Sequence, residues 1–219
     1  MYKTLYSFTV IICILFVVLF SLREPSKKVG IVSMYPNPIY SKHVINAVID
    51  SGNEYELYDI NKEKDILKII KTSHIKKWIF TGSQNNVKNP RVPRVPIEIL
   101  DLQGKEFFLI CYSMESVLNT LGYPLYERNE NKKENFFLNI NFDKEPYTIR
   151  LFDKLQKTIY VQRNHKWYTT IKPDQHPTNV ISMYNKETMM VLYKNAVMTQ
   201  FHPEKTPDGK QLLHNWTLF

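Results

Sequence analysis

Glycine is scarce in this chain, with 6 among 219 residues. Each one therefore punctuates the sequence: Gly52, Gly82 and Gly122 follow apolar runs and read as stops. Cysteine is scarcer still, with 2 residues, Cys13 in an apolar N-terminal run and Cys111 in mid-chain. That excludes a disulfide framework, and no C-x-x-C spacing offers a metal site. A lone thiol in a globular domain fits a reducing compartment. Cys111 is then either a core residue or a nucleophile. A dense Lys/Arg block is also missing, although the formal net charge is +8. The basic residues are scattered, which describes a solvated surface, and no nucleic-acid partner is expected. Hydrophobic residues at 43% and charged residues at 23% exclude a disordered chain.

One long uncharged run is present, Leu5 to Leu22 (LYSFTVIICILFVVLFSL). It is about one bilayer crossing in length. The following Phe20-Ser21-Leu22-Arg23-Glu24-Pro25 is a poor signal-peptidase site, so an uncleaved anchor is expected over a cleaved signal. Arg23, Lys27 and Lys28 outnumber Lys3 on the other flank. The positive-inside rule then puts the following domain on the cytoplasmic side of a single-pass membrane protein. Residues 1–28 form the expected anchor and linker, and 29–219 one globular domain.

Within that domain strand-like and helix-like runs alternate. Strands are expected at Val29–Met34, Tyr55–Ile60, Lys77–Thr81 and Phe107–Ile110. Helical spacing occupies Ser41–Ser51, Lys64–Thr72 and Met114–Leu121. The second half reads as strands at Asn135–Phe142, Tyr147–Phe152, Thr158–Gln162, Val180–Tyr184, Met189–Tyr193 and Val197–Phe201, then a helix over Asp208–Leu218. Glu127–Asn135 reads as an exposed loop. Alternating strands and helices predict an α/β fold with a mostly parallel sheet covered on both faces.

The chemistry gathers at two places. Phe107-Phe108-Leu109-Ile110 runs into Cys111 and then into a helix. A cysteine at a helix N-terminus is expected to favour its thiolate, with free N–H groups available to an oxyanion. Gln200-Phe201-His202-Pro203-Glu204 delivers a histidine with a carboxylate two residues on. A glutamate so placed can orient the imidazole as the third member of a triad.

Taken together these segments resemble the class I glutamine amidotransferases, most closely the glutaminase part of GMP synthase, from about Val29 to Phe219. Leu109-Ile110-Cys111-Tyr112-Ser113-Met114-Glu115 is similar, in register, to the family's G-I-C-Y-G-M-Q. Thr199-Gln200-Phe201-His202-Pro203-Glu204 resembles V-Q-F-H-P-E, and Thr206 with Gly209 resembles its closing T-x-x-G helix. Phe80-Thr81-Gly82-Ser83-Gln84 resembles the S-G-G-P loop, and Asn164-His165 a family histidine.

The resemblance implies a three-layer, flavodoxin-like α/β domain with a mixed, mostly parallel sheet, behind the transmembrane helix. It implies Cys111, His202 and Glu204 as catalytic residues acting through a glutamyl thioester. Gly82, Ser83, Tyr112, Glu115 and His165 would form the oxyanion and substrate contacts. No cofactor or metal is required. The substrate would be glutamine or a γ-glutamyl compound. No S-G-G-x-D-S pyrophosphate loop is present, so ammonia would pass to a separate synthase subunit. At four positions the pattern differs: Leu109, Ser113, Ser83 and Glu115. Leu109 and Ser113 are expected to strain the nucleophile turn, and an ionised Glu115 would weaken binding of an anionic substrate by roughly 1–3 kcal/mol. These differences also admit a weak or inactive binding protein of the same fold, displayed at a membrane or virus-like particle.

Overall fold

The computed structural model describes residues 28–141, 145–172 and 179–218. The expected anchor, Leu5 to Leu22, lies outside the described residues. Among the described residues no helix is long and apolar enough to cross a membrane.

The described residues form nine strands: β1 (Lys28–Ser33), β2 (Glu54–Asp59), β3 (Lys77–Phe80), β4 (Glu106–Ile110), β5 (Leu125–Asn139), β6 (Thr158–Thr169), β7 (Asn179–Tyr184), β8 (Glu187–Tyr193) and β9 (Ala196–Thr199). The helices are α1 (Lys42–Asp50), α2 (Ile66–Thr72), α3 (Tyr112–Thr120), α4 (Pro146–Leu151) and α5 (Pro207–Leu218). Seven strands make one sheet in the order β2-β1-β3-β4-β9-β8-β7. The run from β2 to β9 is parallel, and β8 and β7 add antiparallel pairings. β5 and β6 form a separate antiparallel ribbon.

The apolar runs of β1 and β4 explain why the sheet is buried on both faces. Along β4, Phe108 and Ile110 enter one core cluster and Phe107 and Leu109 the other. Val44, Ala47 and Val48 of α1 join Leu212, Leu213 and Trp216 of α5 in the first cluster. Ile66 and Ile70 of α2 join Val117 and Leu118 of α3 in the second. The result is three layers, with helices on each side of a mixed, mostly parallel sheet. Gly30 is where the sheet needs a missing side chain: a Cβ there would lie 2.3 Å from the buried ring of Trp78 on the adjacent strand.

Two expectations are corrected. Tyr147–Phe152 is not a strand; it is occupied by α4, which starts at Pro146. Proline at the first helical position carries a preset φ and gives up no needed N–H. Thr148 and Leu151, three apart, supply its buried side. The Glu127–Asn135 stretch is not a loop; it lies within β5, opposite β6, with one irregularity between Glu127 and Lys132. Two of its charges pair across the ribbon: Glu134 with Arg163, and Glu127 with Lys166. Opposed charges on facing strands stabilise such a ribbon.

Candidate active site

In a parallel sheet, the loops at the carboxyl ends of the strands open onto one edge, where α/β proteins bind ligands. Here those loops carry Tyr35 after β1, Gly82 and Ser83 after β3, Cys111 after β4 and His202 after β9.

Cys111 joins β4 to α3 with φ 50 and ψ -106, left-handed backbone that non-glycine residues rarely adopt. The turn is fixed by Cys111 N–H donating to Thr199 O at 2.7 Å. The strain lies at the cysteine alone: neither Leu109 nor Ser113 has positive φ. The expected strain at those two positions is therefore absent. Ser113 instead donates to Thr81 O at 2.6 Å, which ties α3 to the β3 loop. Ser83 likewise donates to Met34 O at 2.8 Å.

His202 is held from both sides. Its backbone N–H donates to Gln162 O of β6 at 2.7 Å, and its ring Nδ1 lies 2.9 Å from Glu204 Oε1. With Nδ1–H given to the carboxylate, Nε2 is the nitrogen left for a substrate or thiol. Burial opposes ionisation of Glu204 most strongly, yet the His202 charge and hydrogen bond keep its carboxyl below the ordinary glutamate value. The short 3-10 turn Pro203–Lys205 is seated against α5 at Gly209, where a Cβ would lie 2.3 Å from Pro203 O. Thr206 accepts the Gly209 N–H at 3.2 Å, so the T-x-x-G spacing both caps α5 and admits the Glu204 turn.

Gly82 marks the meeting point of these pieces. A Cβ there would lie 3.0 Å from His202 Cε1, 3.3 Å from the Tyr35 hydroxyl and 3.6 Å from Cys111 Cβ. The thiol, the imidazole and the β3 loop thus converge on one glycine. Beside them opens a cavity of about 230 Å³ to which His202, Ser83 and Tyr35 contribute.

The same architecture and segments recur in known proteins. The family model for glutamine amidotransferase class-I matches residues 38–218. The chain belongs to the class-I glutamine amidotransferases. It is 29% identical over 156 residues to the glutamine-hydrolyzing GMP synthase of Acetivibrio thermocellus, covering 67% of this chain and 28% of that protein. The GMP synthase of Ruminiclostridium cellulolyticum is 30% identical over 158 residues, covering 68% and 29%. The chain therefore spans less than a third of the length of these relatives. A protein from Thermoplasma acidophilum, described as a GMP synthase subunit, superposes with a TM-score of 0.65 at 14% identity, covering 87% of this chain and 92% of that one. A glutamine amidotransferase from Thermotoga maritima gives 0.59 at 14% identity, covering 86% and 80%.

Within this amidotransferase domain the electrostatics depart from the sequence expectation. Cys111 is buried, and burial, followed by the charges of Glu115 and Glu204, pushes its thiol well above the ordinary value. The Tyr112 N–H and the Gln200 amide act the other way and do not prevail. Cys111 at rest is thus a neutral thiol and not the thiolate that a helix N-terminus alone would favour. Glu115 is also buried and is pushed up to about 8 by desolvation, with Gln200 opposing. Gln200 Nε2 donates to Glu115 Oε1 at 2.8 Å and lies 3.7 Å from Cys111 Sγ. At neutral pH Glu115 is therefore protonated, and the expected repulsion of an anionic substrate does not arise.

His165 stands apart from the cavity. Side chains alternate along β6, so Gln162 and Asn164 line the cavity while Arg163 and His165 face the buried side. There His165 Nδ1 lies 2.7 Å from Trp167 O and Nε2 lies 3.7 Å from Glu187. Its pKa is lowered to about 3, mainly by burial. Gln200, Tyr35 and the cavity's lysines were not singled out in the sequence. Gln200 lay in plain view inside Q-F-H-P-E, but its partner Glu115 is far away in the chain.

Proposed function

We propose that this domain hydrolyses the γ-amide of glutamine or of a γ-glutamyl compound through Cys111, His202 and Glu204. The observation that carries the reading is the convergence, on Gly82, of a cysteine at positive φ and a histidine already bonded to a buried glutamate. Cys111 Sγ attacks the amide carbon while His202 Nε2 takes the thiol proton. The C–N bond breaks, and His202 returns the proton to the departing ammonia. A glutamyl thioester remains, and water cleaves it to glutamate and free thiol. The Tyr112 N–H, directed at the Cys111 sulfur, and the Ser83 N–H, which has no acceptor among the described residues, suit the oxyanion. The relatives named as GMP synthases are over three times as long as the matched region, and the ammonia released here would be taken up by a synthase partner.

The test is to add glutamine to the full chain, quench with acid and look for both free glutamate and a Cys111-linked glutamyl adduct by mass spectrometry. Cys111→Ala is expected to show neither. Glutamate release that persists in that variant would sink the reading.

The uncharged run Leu5 to Leu22 supports a membrane anchor in front of a domain spanning residues 29–219, with that domain on the cytoplasmic side. The full chain is expected to stay with membranes through carbonate extraction. Recovery of the intact chain in the carbonate supernatant would remove the anchor from the proposal.

A further inference from the structure

The cavity beside His202 has a lopsided charge. Its basic lining beyond His202 consists of the cations Lys42, Lys133 and Lys205 and the imidazole of His43, and no carboxylate among the described residues contributes to it. These groups come from three separate parts of the chain: the start of α1, strand β5 and the turn after His202. None of the three lysines has a carboxylate within ion-pair distance among the described residues, whereas Lys28, Lys77 and Lys210 do. The cations feel one another. The charged form of Lys205 is disfavoured chiefly by desolvation, with Lys133 and Lys42 adding to it, although Glu204 opposes. His43 is lowered by desolvation, then by Lys205 and Lys42.

The placement of Lys42 and His43 runs against helix electrostatics. They occupy the first turn of α1, which holds no acidic residue, and the Ser41 hydroxyl bonds to Ser33 instead of capping the helix. A helix N-terminus carries partial positive charge and favours anions there, not cations. Clustered positive charge of this kind, in a concave site, raises the local concentration of anions.

Zwitterionic glutamine has no net charge to match this surface. Resting on the thiol amidohydrolase reading above, we infer that the preferred substrate is a γ-glutamyl amino acid or short γ-glutamyl peptide whose leaving part carries one or more carboxylates, held by Lys42, Lys133 and Lys205. Cys111 forms the thioester with the γ-carbonyl as the amide C–N bond breaks. The amino group of the leaving amino acid departs with the proton from His202. Water then releases glutamate, so one γ-glutamyl compound and one water give glutamate and the leaving amino acid or peptide, and no other reactant is needed.

The experiment compares γ-glutamyl-glutamate, γ-glutamyl-lysine amide and glutamine on the full chain in detergent. Its controls are Cys111→Ala and the triple variant Lys42→Ser, Lys133→Ser, Lys205→Ser. The expected kcat/KM for γ-glutamyl-glutamate exceeds that for the other two by roughly tenfold or more, as partly desolvated charge pairs allow. That preference collapses in the triple variant and shrinks as salt rises. Cys111-dependent hydrolysis of glutamine with no preference for γ-glutamyl-glutamate overturns this inference and leaves the amidohydrolase reading standing. So does a preference that the triple variant retains. If no compound is hydrolysed, the amidohydrolase reading fails, and calorimetry with γ-glutamyl-glutamate on Cys111→Ala decides the site by itself. Binding that the triple variant loses upholds the anion site; no binding overturns it, and the cationic mouth would then suit the acidic surface of a partner protein.

Discussion

His202→Ala is expected to lower glutamate release at neutral pH by about a thousandfold, within the range found for a positioned acid–base group. The reason is the state of the thiol. Burial above all, with the charge of Glu204 adding to it, holds Cys111 neutral, so its proton must go to a nearby base as the bond forms. In the proposed mechanism His202 is that base, and Glu204 lies 2.9 Å from its ring to hold it in place. Without the imidazole, only the small thiolate fraction supplied by solvent can react. The residual rate should then climb with pH across the alkaline range, while the parent protein shows no such steady rise. The same deletion strips Glu204 of its partner in a buried position, so some loss of thermal stability should accompany it. The measurement is glutamate release from pH 6 to 10 in the two proteins, with unfolding monitored in parallel. A loss below about tenfold would show that His202 is not the proton acceptor.

Glu115→Gln is expected to stabilise the domain at alkaline pH and to leave it unchanged in acid. The glutamate ionises near its ordinary value of 4.5 in an unfolded chain but only at about 8 in the fold. A group raised in this way contributes its full stability below pH 4.5 and loses it progressively as pH climbs to about 8. That gap corresponds to a pH-dependent loss on the order of 3–5 kcal/mol. Glutamine has no proton to lose. Its carbonyl can still accept from the Gln200 amide, and its own NH₂ can reach for Gln200 Oε1, which has no partner among the described residues. Allowing for imperfect repacking, the variant should gain about 2–3 kcal/mol above pH 8, or roughly 5–10 °C in Tm for a domain of this size. It should also remove a negative charge that disfavours the Cys111 thiolate, so activity above pH 8 should hold up better than in the parent. Tm measured at pH 5, 7 and 9 checks this. A difference that is the same at all three values would mean that Glu115 does not titrate in this window.

Much of the frame could be read directly. The apolar run Phe107–Ile110 leading into Cys111 can hardly be anything but a buried strand, and Val44 and Val48 keep helical spacing against it. The motif around His202 fixed two further elements, because only Gly209 allows α5 so near Pro203. The misreadings share a cause. Tyr147–Phe152 has the β-branched and aromatic content of a strand, and only the proline ahead of it argued for α4. The charge of Glu134 looks solvated until the buried Arg163 is placed opposite it. At the site, residue types were legible and their surroundings were not. Nothing in the local sequence shows that Cys111 and Glu115 are shut away from water. The parity that separates Asn164 from His165 depends on where β6 begins. The lysines of the cavity are scattered along a chain rich in lysine, and folding alone gathers them.

The hydroxyl ties of Ser83 and Ser113 bear on the chain before it folds. Related loops use glycine at these places, yet neither serine has the positive φ that would call for one. A serine in ordinary backbone leaves the unfolded chain fewer conformations than glycine would, a difference worth about 0.4–1 kcal/mol per site for compatible replacements. The bonds to Thr81 O and Met34 O then fasten the loop in a single arrangement. Its ordering is completed once, during folding, and does not have to be repeated with each molecule of substrate.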